Sequence, residues 1–244
     1  YQRRVRGMCL RKQTNEWFTA ACDNNTKYIK QKLSQNEYSR DLRPSSASSF
    51  IFNGFAAIHY AAFHDNLEVF ELLFEVEAFE LTLNPIEFTF NQIKQKIEAQ
   101  QNVLSIAIIR NSTKILKFLL QKLTCSNKNL LKLKDSAMRT AFFYSISCKS
   151  DVFQQLIEIG ESLEENLLEI SLQSKNYSAI PYLLNRIEAQ KWIRGSFWVL
   201  MELLDKEIRY QARQVMLKAV KGMEEEELDE FFAGMTVGEV FGFK

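Results

Sequence analysis

Apolar side chains recur along this chain in pairs of short stripes with helical spacing, and residues 54–73 carry the clearest pair. The stripes consist of a narrow set followed by a bulkier set: Ile58, Ala61 and Ala62, then Val69, Phe70, Leu72 and Leu73. Apolar residues three or four positions apart share one face of a helix. The pattern predicts two short helices joined by a tight turn. Such a hairpin cannot bury its own apolar surface, so it must stack on neighbours.

The same pair of stripes recurs four more times with lower fidelity. The copies align at one small residue each: Ala20, Ala61, Ala107, Ser145 and Ser171. Except for the last, shorter interval, the spacings fall within the roughly 33 to 47 residues expected of repeated helix-turn-helix units. The fifth copy is the weakest, and Pro181 within it predicts a kinked or shortened second helix. The pattern therefore predicts a degenerate array of about five helix pairs.

An insertion separates the second copy from the third. Asn84-Pro85 is typical of a turn, and apolar residues at Phe90, Ile93 and Ile97 predict a helix over residues 86–99. We expect this helix to lie outside the repeated pattern.

The second copy resembles an ankyrin repeat. That family carries a glycine, a T-P-L-H-x-A-A block, a break with glycine, and then E-V-V-x-x-L-L. The chain has Gly54, then AAIHYAA at residues 56–62, Asp65 in the break, and EVFELL at residues 68–73. It departs from the pattern at Ala56-Ala57 and at Asp65. The resemblance spans about residues 15–184 and implies an all-α, ankyrin-like helix-turn-helix solenoid with inserted loops and a C-terminal helical cap.

The expected domain organisation has four parts. They are a basic N-terminal arm at residues 1–14, the ankyrin-like repeats at 15–186, capping helices at 187–221, and an acidic, Phe-rich tail at 222–244. Terminal units of stacked arrays need a partly polar outer face, which favours the cap. Two alternatives stay open: a nuclear signal or anionic contact in the arm, and a partner-docking element near the C-terminus.

Composition narrows the possible partners and the compartment. Of the residues, 46% are hydrophobic and 12% are aromatic, which is ample for a core. The net charge of only +1 gives no reason to expect a nucleic-acid partner, and none is predicted. Four widely separated cysteines without a CxxC pair indicate reduced thiols in a cytoplasmic or nuclear protein. No apolar run predicts a membrane span. Because the sequence starts with Tyr1, we interpret it as a processed or truncated piece.

The sequence nominates no catalytic, cofactor-binding or metal-binding residue. Of the two histidines, His59 is expected to bond backbone groups in its turn, as the resemblance implies, and His64 to face a groove. Neither accompanies cysteines or carboxylates at ligand spacing. There is no G-x-S-x-G motif and no glycine-rich loop at a helix start. These observations favour a protein that is not an enzyme, although an active site built from distant residues stays possible.

The resemblance also implies a groove, lined by turn tips and first helices, that binds another protein. Carried over by position, the lining residues are Phe52, Asn53, Phe55, Phe63, His64, Ile109, Arg110, Arg139, Ser147, Cys148, Gln173 and Ser174. Exposed aromatic and arginine side chains often dominate interface energies. Alternatively, Phe55 and Phe63 pack under the neighbouring insertions. The leading hypothesis is an interaction scaffold or adaptor. The alternative is a structural component of a cytoskeletal or viral assembly that docks through its insertions and C-terminal segment.

Overall fold

The structure is a computed structural model that describes residues 16–35, 54–90, 93–125, 127–148, 150, 152–159 and 167–184. The described part is predominantly α-helical, as the sequence predicts. The chain divides into two compact units, Tyr1–Gly160 and Glu161–Lys244. The predicted basic arm, capping helices and acidic tail all lie outside the described residues, as do Phe52 and Asn53.

Short helices make up most of the first unit. In chain order they are α1 (residues 16–22), α2 (Thr26–Ser34), α3 (Ala57–His64), α4 (Leu67–Glu77), α5 (Val103–Arg110), α6 (Thr113–Cys125), α7 (Asn129–Lys132), α8 (Ala141–Ser147) and α9 (Phe153–Ile159). The helices α3, α5 and α8 pack side by side, and α2, α4, α6 and α9 form a second row. Each of the pairs α3/α4, α5/α6 and α8/α9 is closely packed. Helix pairs therefore stack on one another in chain order.

One hydrogen bond recurs in every pair, at the small residue by which the sequence copies align. The bonds are Asn25 N to Ala20 O (2.8 Å), Asn66 N to Ala61 O (3.0 Å), Ser112 N to Ala107 O (2.9 Å), Ser150 N to Ser145 O (2.9 Å) and Asn176 N to Ser171 O (2.9 Å). A hydrogen bond from a backbone N–H to the carbonyl five residues earlier is typical of a helix end at which one residue takes a left-handed backbone conformation. Accordingly, φ is positive just before the donor at Asn24, Asp65, Asn111 and Lys175. The predicted alignment and the structure agree at this turn.

Side chains at these turns also bond to the neighbouring pair. Asn66 Nδ2 donates to Ala21 O at 2.9 Å and to Cys22 O at 2.6 Å. Ser112 Oγ donates to Ala62 O at 2.6 Å. These carbonyls lie at helix C-termini, where carbonyl groups lack partners within the helix. The turns of the second and third pairs thus each bond to backbone carbonyls of the pair before.

The insertion is a β-hairpin, so the predicted helix over residues 86–99 is wrong. Strand β1 (Ile86–Phe90) pairs antiparallel with strand β2 (Ile93–Ile97), with Ile86 opposite Ile97 and Phe90 opposite Ile93. Ile86 and Ile97 are buried, whereas the alternate residues on both strands are exposed: Glu87, Thr89, Lys94 and Lys96. This alternation has the two-residue period of a half-buried strand.

Backbone hydrogen bonds hold the turn segments of the second, third and fourth pairs side by side. Leu83 N donates to Gly54 O at 3.1 Å, Gln100 N to Thr82 O at 2.7 Å, and Ser136 N to Ala99 O at 2.9 Å. Gly54 has φ +91°, and a Cβ there would lie 2.9 Å from Asn84 Nδ2. Only glycine takes this conformation and this close approach without strain.

The second unit contains a shorter helix pair. It comprises α10 (Leu167–Gln173), a 3₁₀ turn (Tyr177–Ala179) and α11 (Ile180–Leu184). Pro181 lies in the first turn of α11, where its missing N–H removes no helical bond. Across the described residues of both units, no helix has the length and apolar character needed to cross a bilayer.

Candidate interaction surface

The C-terminal ends of α3, α5 and α8 carry His64, Arg110, Ser147 and Cys148, which we call the helix-end row. Arg110 reaches the end of α3, since its Nε donates to Phe63 O at 3.3 Å. The next helix, α8, packs on α5. His64 and Cys148 are exposed, and Arg110 and Ser147 are half-buried. Basic side chains suit these positions because helix C-termini carry partial negative charge.

Arg110 is held in place by two aromatic rings. Its guanidinium carbon lies 4.1 Å from the centroid of Phe63 and 5.5 Å from that of Phe88 on β1. The two rings meet edge to face, with centroids 5.1 Å apart. A cation over aromatic faces is attracted by their negative potential. Burial lowers the pKa of Arg110 from its ordinary value. An arginine side chain nevertheless stays charged in proteins.

His64 lies beside this cluster, with its ring centroid 5.3 Å from that of Phe63. Partial burial lowers the pKa of His64, the Arg110 charge lowers it further, and Asp23 opposes both effects. The imidazole is therefore largely neutral at pH 7, and it offers one donor and one acceptor.

Three residues predicted to line the groove are buried instead. The exposed fractions are 0% for Phe55, 8% for Phe63 and 6% for Ile109. Phe63 packs beneath Phe88 of the hairpin, which is the alternative that the sequence left open. Phe55 packs against the rings of His59 and Tyr60. The narrow α3, rich in alanine, leaves space that these rings fill, so they do not present themselves to a partner.

Arg139 holds together the turn before α8. Its Nη2 lies 2.8 Å from Glu98 Oε1, its Nε lies 3.3 Å from Asp135 Oδ2, and its guanidinium stacks 5.0 Å from Phe143. Asp135 accepts a further hydrogen bond from the Tyr144 hydroxyl and one from Ala137 N at 2.8 Å. This structural role was not foreseen from the sequence. We call Glu98, Asp135, Arg139 and Tyr144 the turn clamp.

Exposed apolar side chains near the turn segments were also missed by the sequence analysis. Met138 is 68% exposed, Leu83 59% and Phe79 52%. All three stand in irregular segments, where no periodic pattern marks a face. Leu83 and Met138 belong to the turns that backbone hydrogen bonds hold side by side, so they add apolar area to that edge.

Gln173 and Ser174 occupy the matching helix end in the second unit. Gln173 is exposed, and Ser174 is half-buried and donates from Oγ to Ile170 O at 2.8 Å. Both residues belong to the second compact unit.

The described residues offer little for covalent or metal chemistry. Burial, and then Asp23, raises the pKa of Cys22 to about 11, and burial raises the pKa of Cys148 against an opposing bond from Ser147. Both thiols are protonated at neutral pH, and thiols are poor nucleophiles. Within the described ranges, no group of three His, Cys, Asp or Glu residues is placed to hold a metal.

His59 has the backbone role expected for it. Its Nδ1 accepts from Ala56 N at 2.9 Å, and its Nε2 lies 3.0 Å from Glu80 O. Since Nδ1 accepts, Nε2 carries the proton and donates. His59 is fully buried and joins the start of α3 to the segment after α4.

An open cavity of about 520 Å³ lies near the ends of α4 and α6. Its walls include Phe79, Glu75, Glu80 and Lys122. Acidic and basic groups are mixed along these walls, so their charges select no class of ligand.

No protein-family model matches the chain, and a search of the curated proteins finds no significant match.

Proposed function

We propose that this chain is a non-enzymatic interaction protein, a scaffold or adaptor with an ankyrin-like solenoid that binds another protein through the helix-end row. The observation that carries the proposal is the recurring turn, which places non-identical polar side chains at equivalent helix ends. A repeated backbone with variable side chains at one edge is how stacked arrays present extended binding surfaces. The buried His59 and its two backbone bonds also fit the resemblance of this unit to an ankyrin repeat.

Preorganisation supports the same proposal. Arg110 is already fixed by Phe63 and Phe88, so a partner that contacts it would not have to immobilise a free side chain. Ordering a long side chain on binding costs about 0.5–1.5 kcal/mol. Arginine and neighbouring aromatic groups are also typical of binding hot spots.

The test is affinity capture with the full chain and two matched variants. The row variant combines His64→Glu with Cys148→Glu, two exposed positions whose change removes no core packing. The control variant combines Lys132→Glu on α7 with Gln155→Glu on α9, two exposed positions outside the row. We expect at least one protein that the wild type and the control retain and that the row variant loses by about tenfold or more, because each contact at a hot spot contributes at least about 1 kcal/mol.

Circular dichroism of all three chains must show equal helical content for the comparison to hold. If the row variant retains the same proteins as the wild type, the helix-end row is not the binding surface and the proposal fails.

A further inference from the structure

The β-hairpin covers the middle of the helix-end row. Phe88, at the centre of β1, contacts both the Phe63 ring and the Arg110 guanidinium. Phe63 is therefore only 8% exposed although it lies at the end of α3. The hairpin is an insertion between two helix pairs, and β2 packs against α5. An extended segment carrying an aromatic side chain thus already occupies this part of the row.

We propose that Phe63 and Arg110 form a seat for an aromatic side chain on an extended segment of a partner protein, and that Phe88 fills this seat within the chain. The inference rests on the proposed function. It specifies which type of side chain, an aromatic one, the partner places beside Arg110 in the row. Phe63 meets the Phe88 ring edge to face, and Arg110 supplies a flat cation beside it. Both favour an aromatic ring over an aliphatic group of similar size.

Release of Phe88 does not require the hairpin to leave the protein. Its base is anchored by the buried Ile86 and Ile97. Two hydrogen bonds add to this anchor, from Gln100 N to Thr82 O at 2.7 Å and from Thr82 N to Gln101 O at 3.1 Å. Phe88 and the opposite residue Gln95 are half-buried, and the residues beside them along both strands are exposed. Two-stranded hairpins are only marginally stable on their own, so the contacts of Phe88 are a main restraint on its position. A partner's aromatic residue would compete with those contacts.

The test uses the chain's own hairpin as the probe. A fluorescent peptide with the sequence of residues 85–98 is titrated into the full chain, and binding is followed by anisotropy. The Phe88→Ala chain lacks the ring that fills the seat. We expect the peptide to bind this chain at least about tenfold more tightly than the wild-type chain, in which Phe88 competes with it. A peptide with its own Phe88→Ala change should bind the Phe88→Ala chain about tenfold more weakly, because the lost ring contacts contribute that much.

Two further chains keep the test decisive. Adding Arg110→Ala to the Phe88→Ala chain should remove the peptide's preference for phenylalanine. A Thr89→Ala chain, changed at the neighbouring exposed position, should behave as the wild type. If Phe88→Ala impairs folding by circular dichroism, Phe88→Leu replaces it, since leucine keeps apolar volume without a ring.

The inference is overturned if both peptides bind the vacated chain equally, or if neither binds. Its failure is distinct from that of the proposed function. A partner captured equally by the wild-type and Phe88→Ala chains, yet lost by the row variant, would leave the function standing and refute the seat. If peptide binding depends on the aromatic side chain but the row variant loses no partner, the seat stands and the proposed function fails.

Discussion

At the scale of single residues, the chain's two histidines have different roles although they share one helix. His59 is fully buried and bonds to Ala56 N and Glu80 O, whereas His64 is exposed at the helix end. Replacing His59 by alanine removes the acceptor of the buried Ala56 N–H, removes the bond to the Glu80 carbonyl, and opens a cavity. We expect His59→Ala to lower the free energy of unfolding by about 2–4 kcal/mol, measured by urea denaturation.

The matched control is His64→Ala, which removes the same side chain from an exposed position. It should change the free energy of unfolding by less than about 0.5 kcal/mol. Equal effects of the two substitutions would show that His59 does not stabilise the turn.

At the scale of elements, the turn clamp links the hairpin's end to the start of the fourth pair through ionised groups. Glu98 accepts from Arg139 at 2.8 Å and from Lys96 at 3.0 Å, and its side chain is only 14% exposed. Burial raises the pKa of Glu98, but the bonds from Lys96 and Arg139 outweigh burial, so the net pKa in the folded protein is lowered. The folded state therefore favours the carboxylate.

The lowered pKa of Glu98 determines how the stability of the protein depends on pH. A carboxyl group whose pKa falls on folding stabilises the protein above its unfolded pKa of about 4.3, and that stabilisation is lost as the pH drops through the lower folded value. We expect Glu98→Gln to lower the free energy of unfolding by about 1 kcal/mol at pH 7, in urea titrations. The difference from wild type should shrink as the pH falls below the unfolded pKa of about 4.3. Glu75→Gln, on the exposed side of α4, is the control, and a pH-independent difference for Glu98→Gln would contradict the assignment.

Charge is also arranged between whole helices. The exposed side of α2 carries Lys27 and Lys30, that of α4 carries Glu68, Glu71 and Glu75, and that of α6 carries Lys114 and Lys117. These three helices are neighbours in the order α2, α4, α6. A bond from Asn24 and the charge of Lys114 lower the pKa of Glu68, although partial desolvation opposes them. The alternation of sign from helix to helix favours this stacking order.

The helix pairs were predictable because their signal is local. A small residue marks where two helices approach closely, and it is followed by a polar residue that takes the left-handed turn. The hairpin was mispredicted because Phe90, Ile93 and Ile97 fit a helical spacing as well as a strand's alternation. Short apolar runs cannot be assigned by period alone. The alternation of Ile86 and Phe88 with Glu87 and Thr89 was the better signal.

The candidate site was less predictable because its residues depend on distant contacts. Phe63 is covered by the misassigned insertion as well as by Phe55 and Arg110. Arg139 was expected in the groove, but its partners Glu98 and Asp135 lie in irregular segments that carry no pattern. His64 and Cys148 are exposed where the sequence placed them, since the helix end that carries each is set by the local turn.

At the scale of the whole molecule, the boundary between the two compact units falls after residue 160 of the chain, between the fourth and fifth predicted copies. Within the first unit each pair is bonded to the one before it, as Asn66 is to Ala21 and Cys22. The Phe18 and Tyr60 rings, 5.6 Å apart, add a core contact between the first two pairs. Nearest-neighbour interfaces of this kind decide whether stacked pairs unfold together.

The fragment of residues 1–160 tests that cooperativity, and Trp17 reports on it. Trp17 is buried in the first pair and is the only tryptophan in this fragment, since the other two are Trp192 and Trp198. We expect the fragment to fold alone, and its urea transitions by Trp17 fluorescence and by far-UV circular dichroism to coincide, as in two-state unfolding.

Asn66→Ala removes two bonds between the first and second pairs, each contributing about 1 kcal/mol. In that variant the fluorescence transition should move to lower urea than the dichroism transition, because the first pair loses its coupling. An unfolded fragment would show that the first unit depends on the second, and separate transitions in the unmodified fragment would show that the pairs are not coupled.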